Sequence, residues 1–288
     1  MTRRVMTVLG MVMVVAVLAG CVGGIAEPKR EPKLSPPVIA KPGVLVAVVD
    51  MSYPPFAGKV GGQPAGLDVD VAAAIADQLG LKLELVDGSA QAGAALVQNG
   101  TADIVLAGLT VEQAVSSQLA FAGSYVSDGP AIFASSESSV TTDALTTRRI
   151  AVQKGSMAYW TVLDQYGEEP LVEFATLAEA FDAMSDGRAD VVAADALTGA
   201  YMLRDRPGLQ YLAQVGSAVP LGIGVSVAKP KLESEIRAIL DRLAAEGVLS
   251  TLRRKWVGDI PPLELPQGTE ETSQTPPASS GSTGTTTP

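Results

Sequence analysis

The chain has 288 residues, 47% of them hydrophobic, and a net charge of −10 at neutral pH. That is enough apolar material for two lobes with cores of their own, and an acidic chain with no Lys/Arg stripe gives no support to nucleic-acid binding. The absence of histidine and the single cysteine remove the commonest metal ligand, the usual general base near neutral pH and any internal disulfide, so no metal and no cofactor is expected.

In chain order, Arg3 and Arg4 precede a short apolar run, and Leu18-Ala19-Gly20-Cys21 follows with small residues before the lone cysteine. A positive start, an apolar stretch too short to span a bilayer and a small-residue site read as a secretory signal peptide over residues 1–20. The surroundings of Cys21 resemble the bacterial lipoprotein signal, which implies lipidation of Cys21 and an extracytoplasmic protein held at the cell membrane. Residues 21–42, with five prolines among charged and small residues, read as a tether.

Residues 44–49 are an uninterrupted apolar run, the pattern of a parallel strand covered on both faces. Tyr53-Pro54-Pro55-Phe56 is a stiff loop that presents two aromatic rings. Asp68 is placed to cap a helix reaching Gln78, with Val71, Ile75 and Leu79 at helical spacing and Gly80 ending it. A second strand over 81–86, a helix over 91–99 and a third strand over 103–107 complete a β-α-β-α-β unit. Open α/β sheets of this kind bind ligands at the carboxyl ends of their strands.

A strand at 131–134 is expected where the chain leaves the first lobe, with a polar connector after it. The alternation then repeats: a strand at 149–153, the turn Lys154-Gly155-Ser156, a helix to Tyr166, a strand at 171–174, a helix capped by Thr176 and a strand ending at Ala194. Gly155 and Ser156 stand where free N–H groups at a helix start can face an anionic group. Asp195 follows its strand immediately, and its position serves equally as a helix N-cap or as the partner of a ligand ammonium. Residues 219–227 read as a crossover back into the first lobe, followed by two helices, the second carrying Trp256 as a packing residue.

Tyr53-Pro54-Pro55-Phe56, then Gly66-Leu67-Asp68-Val69-Asp70, Gly100-Thr101-Ala102-Asp103-Ile104 and Phe121 with Tyr125 resemble, in order and spacing, the solute-binding proteins of ABC importers for polar amino acids. The resemblance covers residues 44–256 and implies an α/β, two-lobed type II periplasmic-binding-protein fold. Each lobe is then a mixed, mostly parallel sheet flanked by helices, with the ligand cleft at a two-segment hinge. The implied boundaries are 43–134 and 222–260 for the first lobe, 135–221 for the second, and a disordered Pro/Ser/Thr-rich tail over 261–288.

In that family a threonine and an arginine after the third strand grip the ligand's α-carboxylate, an aspartate of the second lobe holds its ammonium, and aromatic rings sandwich the rest. The resemblance puts the threonine position on Glu112, the arginine position on Val115, the aspartate on Asp195, the rings on Tyr53 and Phe56, and the second-lobe turn on Gly155 and Ser156, with Tyr125 completing the expected set. The ammonium side is therefore kept and the carboxylate clamp is not. This favours a small polar solute with a cationic or donor-bearing end: a basic amino acid, a polyamine, an amidine or a quaternary ammonium, with a neutral sugar or nucleoside left open because Asp and Glu also accept from hydroxyls. The expected partners are that solute and a membrane permease, the expected protein is a monomer without catalysis, and a sensor on the same fold is the alternative. A dehydratase-like enzyme using Glu112, Glu173 or Asp195 is a further, thinner alternative.

Overall fold

The computed structural model describes residues 31–266. The first lobe opens with β1 (Val44–Val49), a hairpin β2 (Gly58–Val60) and β3 (Gln63–Ala65), and α1 (Leu67–Gln78). It continues through β4 (Lys82–Asp87), α2 (Ala90–Gln98), β5 (Ile104–Val105), α3 (Val111–Ser116) and β6 (Leu119–Asp128). The second lobe runs from β7 (Pro130–Ser135) through β8 (Ile150–Gln153), α4 (Met157–Tyr166), β9 (Leu171–Phe174), α5 (Leu177–Ser185), β10 (Val191–Asp195) and α6 (Ala196–Met202) to β11 (Leu209–Gln214). The chain then returns by β12 (Val219–Ser226) to α7 (Pro230–Ala245) and α8 (Val248–Val257).

Each lobe is a five-stranded mixed sheet, ordered β4-β1-β5-β12-β6 in the first and β11-β7-β10-β8-β9 in the second. Strand β1 lies parallel between β4 and β5, which explains its unbroken apolar sequence. Leu45, Ala47 and Val49 point to the side of α1 and α7, while Val46 and Val48 meet Ala94 and Val97 of α2. In the second lobe Ile132, Ile150 and Val191 pack with Ala158 and Val162 of α4. Phe133 and Val192 turn the other way, toward Phe181 of α5 and Leu197 of α6.

Sheet membership moves both lobe boundaries. Strand β7 pairs antiparallel with β10 and β11, so the outgoing crossing lies at Gly129, five residues before the expected end of the first lobe at 134. Strand β12 pairs with β5 and β6, so the return crossing precedes Val219 rather than following residue 221. The cause is that one apolar strand looks like another in sequence, and only pairing tells which sheet it joins. Gly222 allows β12 to seat against β6, since a Cβ there would stand 2.2 Å from the Gly123 carbonyl oxygen.

Three expected segments also differ. Residues 33–42 are packed on the first lobe instead of forming a free tether: Leu34 and Ile39 are buried, Lys33 N–H donates to the Leu79 carbonyl, and Ala40 N–H to Asp103. The start of the expected disordered tail is also placed, because Glu264 exchanges hydrogen bonds with the Gln214 side chain and accepts from Ala218 N–H. The signal segment, Cys21 and residues 267–288 lie outside the described residues. Finally, Asp68 does not cap α1. Gly66 holds that position at φ 150°, where any Cβ would collide with the Phe56 carbonyl oxygen at 2.1 Å.

Candidate functional site

A cavity of about 340 Å³ opens where the two lobes meet the hinge, within the size range of small-molecule sites. From the first lobe it is lined by Asp50, Tyr53, Ser89, Ala90, Ala107, Gly108, Thr110 and Gln113; from the crossings by Asp128, Gly129, Val219 and Leu221; and from the second lobe by Met157 and Asp195. Local sequence explains these positions. Asp50 directly follows β1, Ser89 caps α2 by accepting from Ala92 N–H, and Thr110 caps α3 through a reciprocal capping box with Gln113. The carboxyl ends of strands and the starts of helices thus face one space.

Of the residues anticipated from sequence, Tyr53 and Asp195 line this cavity. Phe56 does not: it is fully buried and stacks beneath Tyr53 at 4.9 Å between ring centroids, so it braces the aromatic wall from behind. Tyr125 is also a core residue, and its phenol donates to Asp68 at 2.5 Å. Glu112 stands exposed in the first turn of α3, and Val115 is 69% exposed on the same helix. The cavity is met instead by Thr110 and Gln113, whose T-x-x-Q spacing is a capping-box signature readable in the sequence. Ser156 spends its hydroxyl as the α4 cap, accepting from Tyr159 N–H at 3.0 Å, while Gly155 forms the left-handed turn before it at φ 75°. Neither lines the cavity, and their neighbour Met157 does. Glu173 is tied to Lys154 at 2.7 Å on the surface of the second lobe.

Asp128 is the residue that sequence reading missed. It ends β6 in the first sheet, yet its Oδ1 accepts from Gly129 N–H at 2.8 Å and from Leu197 N–H at 3.0 Å. It therefore caps α6 from the hinge. Asp195 holds the N-cap position of that helix but makes no capping bond. Its carboxylate is instead approached by Ala158 N–H from the first turn of α4, and Oδ1 is left buried without a hydrogen-bond partner among the described residues.

The electrostatics follow from this crowding. Burial, reinforced by the charge of Asp195, pushes the Asp128 carboxyl up to about 7. Burial likewise raises Asp68 to about 6, against the opposing hydrogen bonds from Tyr125 and Ala107. The Asp195 carboxyl is raised by burial, with Ala158 N–H working against it. Burial holds the Tyr53 phenol well above its ordinary range, with Asp128 and Asp195 adding to the effect and Thr198 opposing it. Three carboxylates line the cavity, and none of its lining residues is Lys or Arg. They do not form a metal site: among the described residues, no group of three or more acidic or sulfur ligands converges closely enough to hold an ion.

Residues 45–259 match the family of bacterial extracellular solute-binding proteins, family 3. The chain belongs to that family. Among relatives of this family 3 solute-binding protein, a glutamine-binding protein of an ABC transporter from Bacillus subtilis is 24% identical over 69% of this chain and 75% of its own length. An ABC transporter arginine-binding protein from Escherichia coli is 22% identical over 72% of this chain and 88% of its own. Among solved structures, an ancestral cationic amino acid solute-binding protein superposes with a TM-score of 0.66 at 26% identity, covering 75% of this chain and 96% of that one. The two-lobed architecture is thus that of the type II periplasmic binding proteins, whose family and fold are characteristic of non-catalytic, extracytoplasmic solute binding.

Proposed function

We propose that this protein captures a small cationic solute, a basic amino acid or an amine-like compound, between its lobes and delivers it to an ABC permease from a lipid anchor at Cys21. One observation carries the reading: the cavity is lined by Asp50, Asp128 and Asp195 and by no Lys or Arg. Taking an anion into such a space sets it against buried carboxylates with no cation to pair it, whereas a cation is paired on arrival. Relatives named for arginine and an ancestral binder named for cationic amino acids support the same charge. The face of Tyr53, held by Phe56 behind it, offers a further site for cationic nitrogen.

The test is calorimetric titration of the full chain in detergent, after denaturation and refolding to remove carried-over solute, with arginine, lysine, 1,4-diaminobutane and glutamine. The cations bind and glutamine binds more weakly. Asp195→Asn weakens the cations by about 2–5 kcal/mol, the usual cost of removing one member of a buried charge pair. Equal affinity for Asp195→Asn and the unaltered protein removes Asp195 from the site, and tighter binding of glutamine than of any cation ends the cationic reading.

A further inference from the structure

The cavity wall is rich in hydrogen-bond acceptors, and the fold itself uses up the backbone donors that an anion would need. In the first lobe, the Ala107 N–H donates to Asp68 Oδ2 at 2.9 Å, and the Gly108 N–H turns to the same carboxylate. The Thr110 N–H donates to the Gln113 side chain at 2.9 Å. At the outgoing crossing, the N–H groups of Gly129 and Leu197 are both taken by Asp128. In the second lobe, the first turn of α4 gives its Ala158 N–H to Asp195 and its Tyr159 N–H to the Ser156 hydroxyl. Turn and helix-start N–H groups are the usual holders of an anion where no Lys or Arg is present, and the lining here contains neither cation. Between its carboxylates the wall is apolar: Ala90, Ala107, Met157, Val219 and Leu221 line it, and Met157 is 48% exposed. Glu112 and Val115 of α3 add no donor, since one is acidic, the other apolar, and both are exposed.

We propose that the cavity takes amines and guanidines that carry no carboxylate, the decarboxylated counterparts of basic amino acids, and discriminates against the amino acids themselves. This rests on the cationic reading above and narrows it to a substrate class. A basic amino acid brings two cationic groups and one carboxylate. Its cations can pair with Asp50, Asp128 or Asp195. Its carboxylate meets either those same like charges or the apolar stretch between them. An ionised carboxylate taken out of water with neither a cation nor a set of N–H donors is among the most expensive groups to bury. A methylene chain in its place has no such cost, and it gains from contact with Met157, Val219 and Leu221. A diamine or a guanidinoalkylamine therefore fits at both ends and in the middle, and an amino acid is mismatched at one group.

The experiment compares matched pairs by calorimetry on the full chain in detergent, stripped of carried-over solute by denaturation and refolding. The pairs are L-lysine with 1,5-diaminopentane and L-arginine with 4-guanidinobutylamine, and L-lysinamide serves as the near-isosteric form of lysine without its anion. Each amine binds at least about tenfold more tightly than its amino acid, as expected for a buried group left without donors, and lysinamide groups with the diamine. Met157→Lys sets a cation in the wall at an exposed position. It weakens the amines and narrows the gap in each pair by about threefold or more, whereas Met157→Leu keeps the gap. A gap below tenfold in either pair, or lysinamide no tighter than lysine, overturns the exclusion of carboxylates and leaves the cationic reading standing. So does a Met157→Lys protein whose gap is unchanged. Failure of every cation to bind overturns the cationic reading, and this inference falls with it.

Discussion

Replacing Asp128 by asparagine removes a charge from the hinge and keeps the atom that holds the hinge together. Its Oδ1 accepts from Gly129 and Leu197 N–H at 2.8 and 3.0 Å, and an amide oxygen can accept from both. The variant loses only a carboxylate that burial, and then Asp195, push from the ordinary 3.8 to about 7. The sign is opposite to that of a salt-bridged aspartate. Well below pH 3.8 both folded and unfolded chains hold the proton, and Asp128 costs nothing. As pH rises through the window between 3.8 and about 7, the unfolded chain gives up a proton that the folded chain keeps, so stability falls; above about 7 the whole cost is present. That displacement corresponds to a ceiling of about 4 kcal/mol. Relaxation around the charge makes about 2 kcal/mol the working figure. At about pH 8, Asp128→Asn is therefore expected to be more stable by about 2–4 kcal/mol, or roughly 3–8 °C in melting temperature for a chain of this size. At about pH 4 the difference shrinks to about 0.5 kcal/mol. Urea unfolding at the two pH values measures both differences. A variant that is less stable at about pH 8, or whose advantage is the same at both, refutes the assignment of a buried, costly charge.

Tyr125→Phe is expected to destabilise the first lobe by about 1–3 kcal/mol, because it removes the 2.5 Å phenol donor from the fully buried Asp68. Solute affinity measured by calorimetry stays unchanged, and a tenfold loss would return Tyr125 to the site. Glu112→Gln is expected to leave affinity within about twofold, because the Glu112 side chain is exposed and does not line the cavity.

The fold was largely legible because its signals are periodic. The unbroken run at β1, the helical spacing of Val71 and Ile75 and the Thr176 cap each depend on a few neighbouring residues, and each appears in the structure. The cavity lining is legible only in part. Tyr53 and Asp195 stand at element ends that face the hinge, which local pattern can place. Asp128 was not recognised, since an aspartate before Gly129-Pro130 reads as an ordinary turn. Its burial and its capping of α6 depend on Leu197, 69 residues away. Phe56 and Tyr125, expected at the site, lie in the core for the converse reason. An aromatic beside a binding loop can face ligand or core, and here Phe56 supports Tyr53 while Tyr125 pairs with Asp68. Glu112 lies on the exposed side of α3, and the capping box that opens the helix turns its neighbours Thr110 and Gln113 to the cavity.

The Tyr53 ring lies on Phe56, which has no exposed surface, and its edge approaches Gly108 so closely that a Cβ there would come within 3.3 Å. A free tyrosine at a cleft mouth would have its two side-chain torsions frozen by each arriving solute, and ordering a mobile side chain costs about 0.5–1.5 kcal/mol. Here that entropy is surrendered once, when the first lobe folds. The solute meets a wall whose orientation no longer depends on it, so more of its contact energy with the ring appears as affinity.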